Sequence, residues 1–81
     1  MSMKARFAKE EAEIARLQKE LEEEDKAIEE RKQRGEPMRS YRYMDLARQI
    51  RTKQRELRRA REYYEEARKA AELERIRRKE L

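Results

Sequence analysis

The chain contains no cysteine, histidine, tryptophan, valine or asparagine, and only one glycine and one proline. Each absence closes a class of function. Without cysteine there are no disulfides and no thiolate chemistry, and the redox compartment stays open. Without histidine as well, the usual transition-metal ligands and the commonest general base are gone. There is no phosphate-binding glycine loop, no nucleophile elbow and no calcium-loop spacing. The acidic run Glu22-Glu23-Glu24-Asp25 reads as a solvated face with no pocket to raise a pKa. No enzyme activity, cofactor, metal or small-molecule substrate is therefore expected. No run approaches the roughly 18 apolar residues of a membrane span. The start, MSMKARFAKEE, lacks the apolar stretch of a secretory signal. The expectation is a soluble chain, cytoplasmic if natural.

What is present is charge. Of 81 residues, 53% are charged and 36% hydrophobic. Such a balance also marks disorder. Disordered chains, however, carry high net charge and much Gly and Pro, whereas 24 bases against 19 acids leave +5 here. Ala, Leu, Glu, Lys, Arg and Gln dominate, and these are strong helix formers. The alphabet resembles that of an idealised or designed helical protein.

Helical composition breaks once, at Arg34-Gly35-Glu36-Pro37-Met38-Arg39-Ser40. Gly35 suits the left-handed position after a helix. Arg31, Lys32 and Arg34 sit at the negative end of the preceding helix dipole. Pro37 cannot continue that helix and disfavours helical geometry at Glu36. Ser40 is a candidate N-cap, with Pro37 the alternative first helical residue. The pattern predicts one domain, 1–81: helix 1 over about 3–34, a loop at 35–39, and helix 2 over about 40–79.

Helix 1 carries an apolar column at seven-residue spacing, Phe7, Ile14, Leu21 and Ile28. A second column, Met3, Glu10, Leu17 and Glu24, is apolar only at alternate layers. Helix 2 carries Tyr43, Ile50, Leu57, Tyr64 and Ala71, with Leu46, Lys53, Ala60 and Ala67 as its second column. Seven-residue repeats of this kind build coiled coils. The predicted fold is an all-α antiparallel coiled-coil hairpin with a seam of Phe7, Ile14, Leu17, Leu21, Ile28, Leu46, Ile50, Leu57 and Tyr64. Folding symmetrically about residue 37 sets Phe7 against Ala67, Ile14 against Ala60, Leu17 against Leu57 and Ile28 against Leu46. Lys53 then lands beside Glu20 and Glu24, either paired with them or lying at the seam edge with its head in water. Charge favours the same fold. Residues 20–30 hold seven acids and one base, and residues 39–61 hold nine bases and two acids.

Two long helices bury little, and a scaffold of this size is marginal alone. A second apolar surface is therefore informative. Ala5, Ala8, Ala12 and Ala15 follow 3-4-3 spacing opposite the seam of helix 1. In helix 2, Tyr63, Ala67 and Ala70 widen the apolar stripe. Alanine is also simply the best surface helix former. Tyr63 beside Tyr64 turns the expectation towards self-association at the open end, into a dimer that forms a four-helix bundle.

On the outer face of helix 2, Tyr41, Met44, Arg48, Arg51, Arg55 and Arg58 repeat at 3-4-3-4-3. Like charges at these spacings repel, so folding does not ask for them. The face is either solvated, a protein-binding surface anchored by Tyr41 and Met44, or a surface for a nucleic-acid backbone, since Arg binds phosphate and Tyr stacks on bases. From Gly35 to Leu57 the chain is similar to the ribosomal large-subunit protein family that is itself a two-helix hairpin. The shared features are a glycine-containing loop followed by Ser40, Leu46, Arg48 and Ile50. The resemblance implies that Arg48, Arg51 and Arg55 face ribosomal RNA. Against it, residues 1–36 hold eleven acids and nine bases, a poor balance for an RNA binder.

Overall fold

The structure, a computed structural model, describes residues 3–80. Two helices pack against each other in antiparallel fashion: α1, Met3–Gln33, and α2, Tyr41–Glu80. The rod measures 75 × 17 × 13 Å along its principal axes. Its radius of gyration is 20.5 Å, against about 12 Å for a globular domain of this length.

The turn follows from three residues. Gly35 adopts φ +74°, the left-handed conformation that costs a Cβ-bearing residue most. The Gly35 amide donates to the Lys32 carbonyl (3.1 Å) and the Glu36 amide to the Arg31 carbonyl (2.9 Å). This paired pattern satisfies carbonyls that the end of α1 would otherwise leave open. Pro37 then keeps the chain out of helix. Ser40 restarts it: the Tyr43 amide donates to Ser40 Oγ at 3.1 Å, which is N-cap geometry. The Ser40 hydroxyl in turn donates to Glu24 Oε1 at 2.8 Å.

That last contact sets the register. Glu24 lies about 14 Å back from the end of α1 at ~1.5 Å per residue. Five non-helical residues, 36–40, reach about 17 Å when extended. The linker therefore runs back beside α1, and α2 begins level with Glu24 rather than with the end of α1. The symmetric fold about residue 37 is corrected accordingly. Phe7 packs with Tyr64, and Ile14 with Leu57. Leu17 packs with Leu46 and Ile50, flanked by Leu21. Lys53 binds Glu13 at 2.9 Å and not Glu20, which pairs within its own helix with Arg16.

Among the described residues six side chains are buried: Phe7, Ile14, Leu17, Leu46, Ile50 and Leu57. Leu21, Ile28, Tyr43 and Tyr64 are half-buried. Met3 of the second column falls outside the described side chains. Ile28 joins neither core cluster, because the linker and not Leu46 lies opposite it. At ~1.5–3 kcal/mol per large side chain, six supply on the order of 9–18 kcal/mol gross. Glu10, Ala60 and Ala67, at core-type positions, stay exposed.

A Cβ at position 35 meets open space, so Gly35→Ala should destabilise through backbone strain alone, by about 1 kcal/mol. Ser40→Ala loses both the cap and the hold of Glu24 and should cost about 1–2 kcal/mol. Urea titration followed by circular dichroism measures both. An unchanged midpoint for Ser40→Ala would show that the linker does not depend on this cap.

Candidate interaction surfaces

The seam holds its polar residues at the edges. On one flank Arg61 of α2 pairs with Glu11 of α1 and its guanidinium lies 5.8 Å from the Phe7 ring centroid. On the other, Arg6 of α1 sits 5.4 Å from the Tyr64 ring centroid. Phe7 and Tyr64 meet edge-to-face, with centroids 6.2 Å apart and an interplanar angle of 88°. Phe7 and Tyr64 thus each carry a cation from the opposite helix, a favourable arrangement of ring face and charge.

The Lys53 ammonium hydrogen-bonds the Glu13 carboxylate and attracts it, and these effects hold the Glu13 carboxyl below its ordinary range. Asp45 is also lowered, first by its hydrogen bond from Arg48 at 2.8 Å and then by one from Gln49 at 2.7 Å. The acidic block of α1 does not close on the basic block of α2 as a unit. Glu24 reaches Arg42 at 3.7 Å and Arg31 at 3.5 Å. Glu22, Glu23, Asp25, Glu29 and Glu30 remain exposed, because their helical positions point away from α2. Arg31 Nε and Nη2 are covered without a hydrogen bond, so its interaction with Glu24 is a charge contact only.

Three surfaces remain for partners. The first is a groove at the open end, lined by Arg6, Phe7, Arg59, Ala60, Tyr63, Tyr64 and Ala67. Tyr63 is 75% exposed at its rim, and Ala70 is exposed beyond it. The second is the alanine stripe Ala5, Ala8, Ala12 and Ala15, all solvent-facing. Ala8 and Ala15 stand one turn either side of Glu11, on the flank of the Arg61 pair. Tyr63 lies on the opposite flank with Arg6. The structure therefore separates the two halves of the expected oligomer surface, and a single flat partner covers one or the other.

The third surface is the outer face of α2. Tyr41 and Met44 are 71% and 61% exposed. Arg39 caps the Tyr41 ring, its guanidinium carbon 5.3 Å from the centroid. Arg48 is held by Asp45. Arg51, Arg55 and Arg58 are exposed and, among the described residues, carry no ion pair. A shallow groove floored by Leu21 and Ile50 and bordered by Tyr41, Met44 and Ala47 runs beside Arg51. The Asp45–Arg48 contact was not anticipated, although Asp at i and Arg at i+3 on a helix is a legible pairing signal.

Among the described residues no cluster of acids is arranged to hold a metal ion, and no helix is long and apolar enough to cross a membrane. No protein-family model, curated protein or solved structure matches the chain, so the likeness to the ribosomal hairpin family gains no support.

The lowered Glu13 carboxyl makes a signed prediction. Its contribution is full above the ordinary glutamate range and is lost as pH falls through the depressed folded value. The pair is solvent-exposed, so the effect is small. Glu13→Gln should flatten the acid limb of stability measured against pH between about 5 and 3. An acid limb unaltered in this variant would remove Glu13 as its source.

Proposed function

We propose that the hairpin is a non-enzymatic interaction module that works by self-assembly or by binding another protein through its open end. The observation that carries this reading is the groove around Phe7, Tyr63, Tyr64 and Ala67, an aromatic and small-residue surface left uncovered by the hairpin's own helices. Aromatics with polar tips are suited to surfaces that are wet when free and buried when bound. Area supports it too. The chain exposes 7310 Å², where a globular monomer of 10.1 kDa exposes about 5,300 Å². The surplus, about 2,000 Å² on one chain, exceeds the roughly 800 Å² that each partner contributes to a standard protein interface.

Sedimentation equilibrium over a hundredfold concentration range tests the reading. A mass of at least twice the monomer is expected, falling towards the monomer in Ala67→Glu. A helical monomer at every concentration would exclude self-assembly and leave only a heterologous partner.

A second reading rests on Arg51, Arg55 and Arg58, three exposed and unpaired guanidiniums in one row. They support contact with an RNA or DNA backbone, for which Arg is well suited. If the row binds phosphate, affinity for a labelled duplex falls steeply with salt, and replacing all three by Gln lowers the slope of log K against log salt by about 2–3. A contact anchored instead by Tyr41 and Met44 would be nearly salt-independent and lost in Tyr41→Ala.

A further inference from the structure

The second helix continues as an arm whose residues 66–80 are all exposed. The arm is not uniformly polar. Tyr63, Ala67, Ala70 and Leu73 follow 4-3-3 spacing along one stripe, and Ile76 stands at its edge. Leu73 is 65% exposed and Ile76 44%. Most helical stability in proteins comes from burying such a face against another element.

Charge along the arm is ordered. Residues 62–74 hold five acids and two bases, a net of −3, and residues 75–80 hold four bases and one acid, a net of +3. Within the hairpin these charges meet only local partners. Arg68 pairs with Glu65, Arg75 with Glu72 and Arg78 with Glu74, each one turn apart and all but the half-buried Glu65 exposed. Such contacts are weak and exchange readily. Glu62, Glu66, Arg77 and Lys79 have no ion pair among the described residues.

A second copy of the same arm, laid antiparallel, matches this order. The positive tip of each lies over residues 63–68 of the other, where Glu65 and Glu66 outnumber Arg68, and two-fold symmetry makes the match twice. A parallel arrangement would set like charge on like. Facing positions that sum to about 143 bring Leu73 onto Ala70 of the second copy, with Ile76 one turn further along at the border of the contact. The same register sets Arg77 opposite Glu66, which share the face of Leu73. Large side chains then oppose small ones, as interdigitating helices require. The tip of each arm also arrives beside Tyr63 and Ala67 of the other, at the rim of the open-end groove.

We propose that the chain forms a two-fold antiparallel dimer through the distal arm of α2, overlapping from about Tyr63 to Glu80. This rests on the self-assembly reading and specifies its geometry. The charge match specifies orientation, and Ala70, Leu73 and Ile76 supply the apolar contact.

Two charge-reversed variants test it, Arg77→Glu and Glu66→Lys. In either homodimer, like charges face each other across the interface. Each variant alone should associate about tenfold or more weakly than the wild type by sedimentation equilibrium. An equimolar mixture restores both sets of opposite charges and should recover wild-type association. Circular dichroism confirms that each variant keeps its helicity. If both variants dimerise as the wild type does, the copies meet through another surface. The arm proposal is then overturned while self-assembly stands. If helical variants fail to associate both alone and mixed, the antiparallel arrangement is overturned. If the wild type is monomeric throughout, both readings fall.

Discussion

The hairpin depends on where Glu24 meets Ser40. Neither helix begins with an acid in its first turn, and Arg42 places a positive charge at the positive end of the α2 dipole, an unfavourable position. The Glu24 carboxylate, on the other helix, corrects both. It accepts the Ser40 hydroxyl while Ser40 Oγ accepts the Tyr43 amide, and it stands 3.7 Å from Arg42. The anion missing from the start of α2 is thus supplied across the tertiary contact. Since this contact fixes where α2 begins, it also fixes every layer above it.

The register so chosen explains the unevenness of the seam. Near the linker, Leu17, Leu21, Leu46 and Ile50 form an aliphatic cluster. Further up, Phe7, Ile14, Leu57 and Tyr64 form a second, part-aromatic one. Between them Lys53 sits at a core-type position and reaches out to Glu13, its stem over apolar surface and its head in water. The hairpin is thin, and its edges are closed by charge and ring-face contacts rather than by more hydrocarbon. The surfaces that remain open, the groove at Tyr63 and the arm beyond it, are those a two-helix scaffold of this length cannot cover with its own residues.

Much of the architecture was legible because its signals are local. The left-handed Gly35, the Pro37 stop and the Ser40 cap are each readable from residue type. The seven-residue columns name the side chains that end up buried. The pairing across the seam was not legible. Symmetric folding assumes that five linker residues occupy the same length as five helical ones, and non-helical chain covers more than twice the distance per residue. Lys53 therefore meets Glu13 rather than Glu20 or Glu24, and Tyr64 rather than Ala67 faces Phe7. The same difference scattered the acidic and basic blocks, which match as totals but not as neighbours.

Sequence alone thus determined two helices, their boundaries to about a turn and the identity of the apolar faces. Those properties follow from propensity and periodicity within one segment. Tertiary structure decided the register, the ion pairs and the separation of Ala8 and Tyr63 onto opposite flanks. It also decided that no described acid of α1 reaches Arg51, Arg55 or Arg58, which are left to solvent. These depend on distances between segments, and here those distances are set by the path of the short linker and one hydrogen bond between Ser40 and Glu24.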